Sequence, residues 1–328
     1  MGYTYRGSEF GTMASRHAQW DSRRKRIRRH TDVLASIMLT ESLPKQAPQL
    51  ADYLSIELNR AFIDAAEIVA KKRPPSLRQF DQISMATIDL ARQVKLVQPL
   101  LAGRRVVFMG DNDGASLVLG LLGVNGYELP SEMLLLDFDR RILANARAMA
   151  QQFGFSDRLD AYAYNAFEPV PSNLVGKYDV FYTNPPYGRA NDGLSVRLFV
   201  ARGMELCHSR GSACGCVILP DDAAQAWTRR VMLSTQSYIL DSGWEVREKL
   251  NGLHRYELPN NPGLTSGMLW IDDVAARQGV PLPAFYGRPV AVEEITHFYG
   301  TKVSPPYPRF VNEDGSLDHD WTEGRLAA

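Results

Sequence analysis

Only three cysteines occur in 328 residues, too few for a disulfide framework. Cys214 and Cys216 lie in the apolar run Ala-Cys-Gly-Cys-Val-Ile-Leu and Cys207 ends a helical pattern, with no matching His or Cys cluster. Buried reduced thiols are expected, and no metal site. Net charge is lacking too. Lys plus Arg and Asp plus Glu both number 37, so composition supplies no overall pull toward a strongly anionic partner. No apolar run approaches the roughly 18 residues of a membrane span. No secretory signal is legible, which leads us to expect a cytoplasmic protein. A Gly-x-Gly-x-x-Gly fingerprint is missing, which argues against pyrophosphate binding.

What remains is a globular composition, 45% hydrophobic and 23% charged. Residues 1–12 read as an expression-vector scar, with the natural start at Met13. Residues 13–74 read as a basic arm and a small helical domain. The arm, Arg-rich between 16 and 30, could contact nucleic acid, although a solvated tail is the simpler expectation. Thr31 can cap a first helix. Ala51, Leu54, Leu58, Ala61, Phe62, Ala65 and Val69 then recur at helical spacing until Pro74-Pro75.

From residue 75 to 300 strands and helices alternate, the pattern of a doubly wound, mostly parallel sheet. Strands are expected at Arg105–Met109, Met133–Phe138, Leu159–Tyr164, Tyr178–Thr183 and Ala213–Leu219. Trp244–Leu250 and Met268–Ile271 would close the sheet as a pair, giving seven strands, the count of a class I methyltransferase-like Rossmann domain. Residues 301–328, rich in Pro and charge, read as a loosely packed tail.

Ligands of such sheets bind outside the carboxyl ends of the strands, at the topological switch point. Three segments fall there. Gly110-Asp111-Asn112-Asp113 offers a glycine for close approach and two carboxylates, more than a helix cap requires. Asp137, ending the second strand, can accept hydrogen bonds from both hydroxyls of a ribose, while Asp139 caps the next helix. Asn165, after the third strand, is placed with Gly110, Asp111 and Asp137 among the nucleoside-binding candidates. In Asn184-Pro185-Pro186-Tyr187 two prolines fix the backbone. The Asn184 side chain and the Pro185 carbonyl can then accept from an incoming NH₂ group, and Tyr187 offers a ring for stacking or for holding a cation. Asp221 and Asp222 could add negative charge, but more simply begin a helix. His254-Arg255-Tyr256-Glu257 reads either as pocket lining or as a strand with alternating faces.

The Asn-Pro-Pro-Tyr motif resembles that of amino-group methyltransferases acting on adenine N6 or glutamine side chains. A longer stretch, from about Phe80 to Gly215 and more loosely to Trp270, resembles the bis(aminopropyl)spermidine synthases, the branched-chain polyamine synthase family, through Phe80-Asp81-Gln82, the Gly110 and Asp137 motifs, the Pro185-Pro186 pair and Ser195–Gly203. That family usually has Gly-Asp-Asp-Asp and Asp-Pro-Pro where Asn112 and Asn184 stand here. Its winged-helix domain has no obvious counterpart in this N-terminal segment.

The resemblance implies aminopropyl transfer from decarboxylated S-adenosylmethionine to a small-molecule amine of polyamine type. Asp111 or Asp113 would take the proton, and Asn184, Pro185 and Tyr187 would hold the amine. The alternative is methyl transfer from S-adenosylmethionine to an amino group of a base or a protein side chain. A third possibility, a non-catalytic nucleotide-binding module, leaves the rigid Asn-Pro-Pro-Tyr without a purpose.

Overall fold

The computed structural model describes residues 57–207, 212–258, 263–274 and 283–321. The Arg-rich arm and the Thr31-capped helix lie outside the described residues. Helix α1 (Arg60–Lys72) starts where the Asn59 side chain accepts from the Phe62 N–H, and ends just before Pro74-Pro75. Its buried stripe of Phe62, Ala65, Ala66 and Val69 packs on α2 (Thr87–Leu101) and α3 (Ala115–Val124). The break expected at residue 74 therefore does not divide the packing, because an apolar helix face needs a core and this one shares that of the larger domain.

The sheet runs β1 (Arg105–Met109), β2 (Glu132–Asp137), β3 (Leu159–Ala163), β4 (Val180–Thr183), β5 (Cys214–Pro220), β6 (Trp244–Arg255) and β7 (Thr265–Asp273). Their order in space is β3-β2-β1-β4-β5-β7-β6. β1 to β5 pair in parallel, and β7 inserts antiparallel between β5 and β6. Helices α4 (Arg140–Phe153), α5 (Leu194–Leu206) and α6 (Ala226–Asp241) complete the layers. Successive strand residues face opposite cores. Val106, Phe108, Leu135 and Tyr182 join one, with α1 to α4; Val107, Met109, Leu136 and Phe181 join the other, with α5 and α6. Burial on both faces is why the parallel strands read as unbroken apolar runs. The closing pair is longer than expected, because two irregularities in β6 let it bend and continue to Arg255.

The chain leaves β1 toward β2, then crosses to β4 on the other side. That reversal opens a crevice at the carboxyl ends of β1 and β4.

The loose tail expected beyond Thr301 is not found among the described residues. Tyr307 and Val311 are fully buried, and β8 (Phe310–Val311) pairs with β9 (Leu317–Asp318). Aromatic burial outweighs the local proline and charge. The Val311 N–H donates to the Phe138 carbonyl at 3.0 Å, which brings this segment beside the Asp137 loop.

Candidate active site

A cavity of about 730 Å³ occupies the crevice, lined in part by Gly110, Asn112, Asp113, Asp137, Asn165, Asn184, Pro185 and Tyr187. Gly110 has φ of 69°, a region that favours glycine, and a Cβ there would meet the Phe199 ring at 3.4 Å. Asp113 points inward. Its Oδ1 accepts from the Met85 N–H at 2.7 Å, and its Oδ2 accepts from Asn184 Nδ2 at 2.7 Å.

Asp111 is different. Its Oδ1 accepts from the Ala115 N–H at 2.8 Å, and its Oδ2 from the Ser116 N–H at 2.9 Å and the Ser116 hydroxyl at 2.5 Å. Both oxygens are committed to the N-terminus of α3, which is rich in free N–H groups. A proton-accepting role for Asp111 has no support in this geometry.

Asp137 lines the cavity, with Oδ1 accepting from the Asp139 N–H at 2.9 Å and Oδ2 from the Asp111 N–H at 3.2 Å. Burial is the main cause that pushes its carboxyl up to about 7. Asp139 is fully buried and caps α4 by accepting from the Arg141 N–H, as its place in the sequence implied. Asn165 lines the cavity, but its amide is committed to the chain: Nδ2 donates to the Arg309 carbonyl at 2.7 Å, and Oδ1 accepts from the Phe167 N–H at 3.1 Å. Its side chain staples the C-terminal segment.

Asp221 and Asp222 do not reach the cavity lining. The first accepts from the Gly252 N–H at 2.7 Å, and the second organises the turn before α6 through Ala224 and Gln225. At the end of β6, His254 and, just past the strand, Tyr256 turn inward while Arg255 turns out to pair with Asp89. The alternating reading holds, and of the four residues Tyr256 alone lines the cavity. All three cysteines are buried. Among the described residues no group of three His, Cys, Asp or Glu is placed to hold a metal ion.

Two parts of the site were missed in the sequence. Asp81, held at φ of 57°, lines the cavity with its carboxyl pushed up to about 6 by burial. Phe298, Tyr299 and Gly300 form a further wall, where Tyr299 stacks on Phe138 at 5.5 Å and meets Phe80 edge-on at 5.1 Å. This wall is held from several sides. The Ser195 hydroxyl donates to the Phe298 carbonyl at 2.9 Å, and Asn191 Nδ2 donates to the Thr296 carbonyl at 3.1 Å. Its one sequence signal is the aromatic density of His297-Phe298-Tyr299 just before the supposed tail.

The described charges are arranged by depth. The acids Asp113 and Asp137 are buried, while Arg78, Arg189 and Lys302 stand at the exposed rim.

Comparison with known proteins gives the family. The N(4)-bis(aminopropyl)spermidine synthase of Thermus thermophilus is 29% identical over 191 residues, covering 57% of this chain and 51% of that one. The enzyme of the same name from Thermococcus kodakarensis is 27% identical over 147 residues, 44% of this chain and 39% of that one. The chain thus spans about half or less of these relatives. The crystal structure of the Thermus thermophilus branched-chain polyamine synthase, in complex with N4-aminopropylspermidine and 5'-methylthioadenosine, superposes with a TM-score of 0.57 at 25% identity, over 70% of this chain and 67% of that one. A family model described as the branched-chain polyamine synthase A C-terminal domain matches residues 62–262, and the chain belongs to that family.

Proposed function

We propose that this chain transfers an aminopropyl group from decarboxylated S-adenosylmethionine to an amine nitrogen of a polyamine. The observation that carries this reading is the pairing of Asn184 with Asp113 on one wall of a cavity whose other wall holds Asp137. Asp137 is suited to the ribose hydroxyls, beside the aromatic group of Phe80, Phe138 and Tyr299. Asn184 Oδ1 and the Pro185 carbonyl are suited to orient the amine, with the Tyr187 ring beside them.

The new C–N bond forms as the C–S bond breaks, and methylthioadenosine leaves. The extra proton passes from nitrogen to Asp113. Burial raises the affinity of that carboxyl for a proton, which fits the task. The buried acids suit an amine, and N4-aminopropylspermidine, named in the relative's complex, has that chemistry.

The neutral Asn184 within Asn-Pro-Pro-Tyr supports a second reading, methyl transfer from S-adenosylmethionine to an uncharged amino group. The donors separate the two. With Asp113 lining the cavity and Asp111 turned away, one acid is placed to repel the donor's carboxylate. Calorimetry is expected to show the decarboxylated donor binding about tenfold tighter, or about 1.4 kcal/mol. Mass spectrometry of a supplied triamine should then show aminopropyl additions. Tighter binding of S-adenosylmethionine, with methyl groups on the acceptor, would overturn the aminopropyl reading.

A further inference from the structure

A chain of buried polar groups leads from the cavity into the core on the α1–α4 side of the sheet. Tyr187 Oη lies 3.3 Å from Asn184 Oδ1 and makes a much shorter contact with Tyr256 Oη. Tyr256 Oη is 2.7 Å from Ser266 Oγ, and Ser266 Oγ is 2.8 Å from His254 Nδ1. His254 Nε2 lies 2.8 Å from Gln93 Oε1, while Gln93 Nε2 faces Met268 Sδ at 3.4 Å and Cys216 Sγ at 3.7 Å.

The far end fixes the direction of the whole chain. A thioether has no proton to give, so the side of the Gln93 amide that faces Met268 is its NH₂. The Gln93 carbonyl therefore faces His254, and that contact is a hydrogen bond only if Nε2 carries the proton. Burial holds the imidazole neutral, with its pKa pushed down to about 3, so Nδ1 is a bare acceptor. Ser266 then donates to Nδ1, Tyr256 donates to Ser266, and Tyr187 donates to Tyr256. With its one proton used, the Tyr187 hydroxyl has none to give to Asn184 Oδ1.

We propose that His254, acting through Ser266, Tyr256 and Tyr187, directs these hydrogen bonds away from the cavity and so leaves both lone pairs of Asn184 Oδ1 to the N–H groups of the acceptor amine. His254, Ser266 and Tyr256 are positioning residues. The proposal rests on Asn184 as the site that receives the amine.

Two measurements test it. Nitrogen NMR of protein labelled at histidine, with His254→Gln for assignment, should show His254 neutral and protonated at Nε2 down to about pH 5, where an ordinary imidazole is charged. Protonation at Nδ1, or a charged ring, overturns the proposal. In Tyr256→Phe the Tyr187 proton is released to turn onto Asn184. The acceptor KM should rise about tenfold, the worth of one hydrogen bond, with methylthioadenosine affinity unchanged. Adding Tyr187→Phe removes the blocking proton and should bring the acceptor KM back toward the wild-type value. A double variant no better than Tyr256→Phe alone means that the hydroxyls serve packing, and the proposal fails. If the wild-type protein transfers nothing to any amine, the proposed function fails instead, and the tautomer, read without substrate, still decides the direction of the chain.

Discussion

Asn184 Nδ2 donates to Asp113 Oδ2 at 2.7 Å, so the end of β4 and the loop after β1 hold each other across the crevice. A carboxylate only accepts, so the group that faces it must be a donor, and this fixes the amide with its NH₂ toward Asp113 and its oxygen away. The remaining oxygen is then aimed without rotational freedom, a precondition for orienting an amine.

Asn184→Ala should lower turnover by about 100-fold, the scale of a lost positioning contact. Methylthioadenosine affinity should change little, because the contact is made to the acceptor. Steady-state kinetics beside calorimetry checks both, and an equal loss in the two would assign Asn184 to the donor pocket.

Asp137→Ala should weaken methylthioadenosine while the fold persists. In the wild-type protein the same affinity should decline below about pH 7, where burial makes the carboxyl take a proton and lose its acceptor character. Calorimetry across pH reads this directly. A flat profile would place the ribose contact elsewhere.

The stability of the ligand-free fold should depend on pH in an unusual direction. Burial pushes Asp81 and Asp111 up to about 6 and Asp137 to about 7, against 3.8 for the free carboxyl. The folded state therefore holds more protons between those limits, and stability falls as pH rises through about 6 to 7. His254 acts oppositely. Its folded pKa near 3 lies below the usual 6.5, so the unfolded chain takes that proton first and stability falls as pH drops below 6.5. Three raised carboxyls outweigh one lowered imidazole, so stability should fall between pH 6 and pH 8, by about 1 kcal/mol. Urea unfolding at the two values decides it, and greater stability at pH 8 would contradict the burial argument.

Asn165→Ala removes the donor to the Arg309 carbonyl and the acceptor for the Phe167 N–H. Leaving those groups unpaired should cost about 1–3 kcal/mol. Trypsin should then cut faster after Lys302, while the sheet core resists. Unchanged cleavage would mean that the aromatic contacts alone hold the segment.

Much of this was legible in advance, for a physical reason. Parallel strands buried on both faces are short apolar runs, and the residues just after β1, β2 and β4 must lie at the crevice. Gly110, Asp137 and Asn184 were found that way. The difference between Asp111 and Asp113 was not legible, because it depends on where α3 begins. Gly114, at φ of 79°, starts the helix so that the N–H groups of Ala115 and Ser116 capture Asp111 and leave Asp113 to the cavity. The wall of Phe298 and Tyr299 was hidden for another reason. Its anchors lie far away in sequence, with Ser195 separated from Phe298 by 103 positions. Local composition cannot report a partner at that distance. Asp81 was visible only as part of a family resemblance, since nothing in one sequence reveals a left-handed backbone at an aspartate.

The Asn165 staple has a consequence for how the protein is born. Its two ends are 144 positions apart. A ribosome adding roughly 5–20 residues per second takes about 7–29 s to travel between them. β4 and Asn184 follow soon after Asn165, so early in that interval β1 to β4 are complete and Asp113 and Asn184 can meet while Tyr299 has yet to be made. The cavity wall that carries Tyr299 is thus the last to be synthesised, well after both partners of the Asn184–Asp113 hydrogen bond.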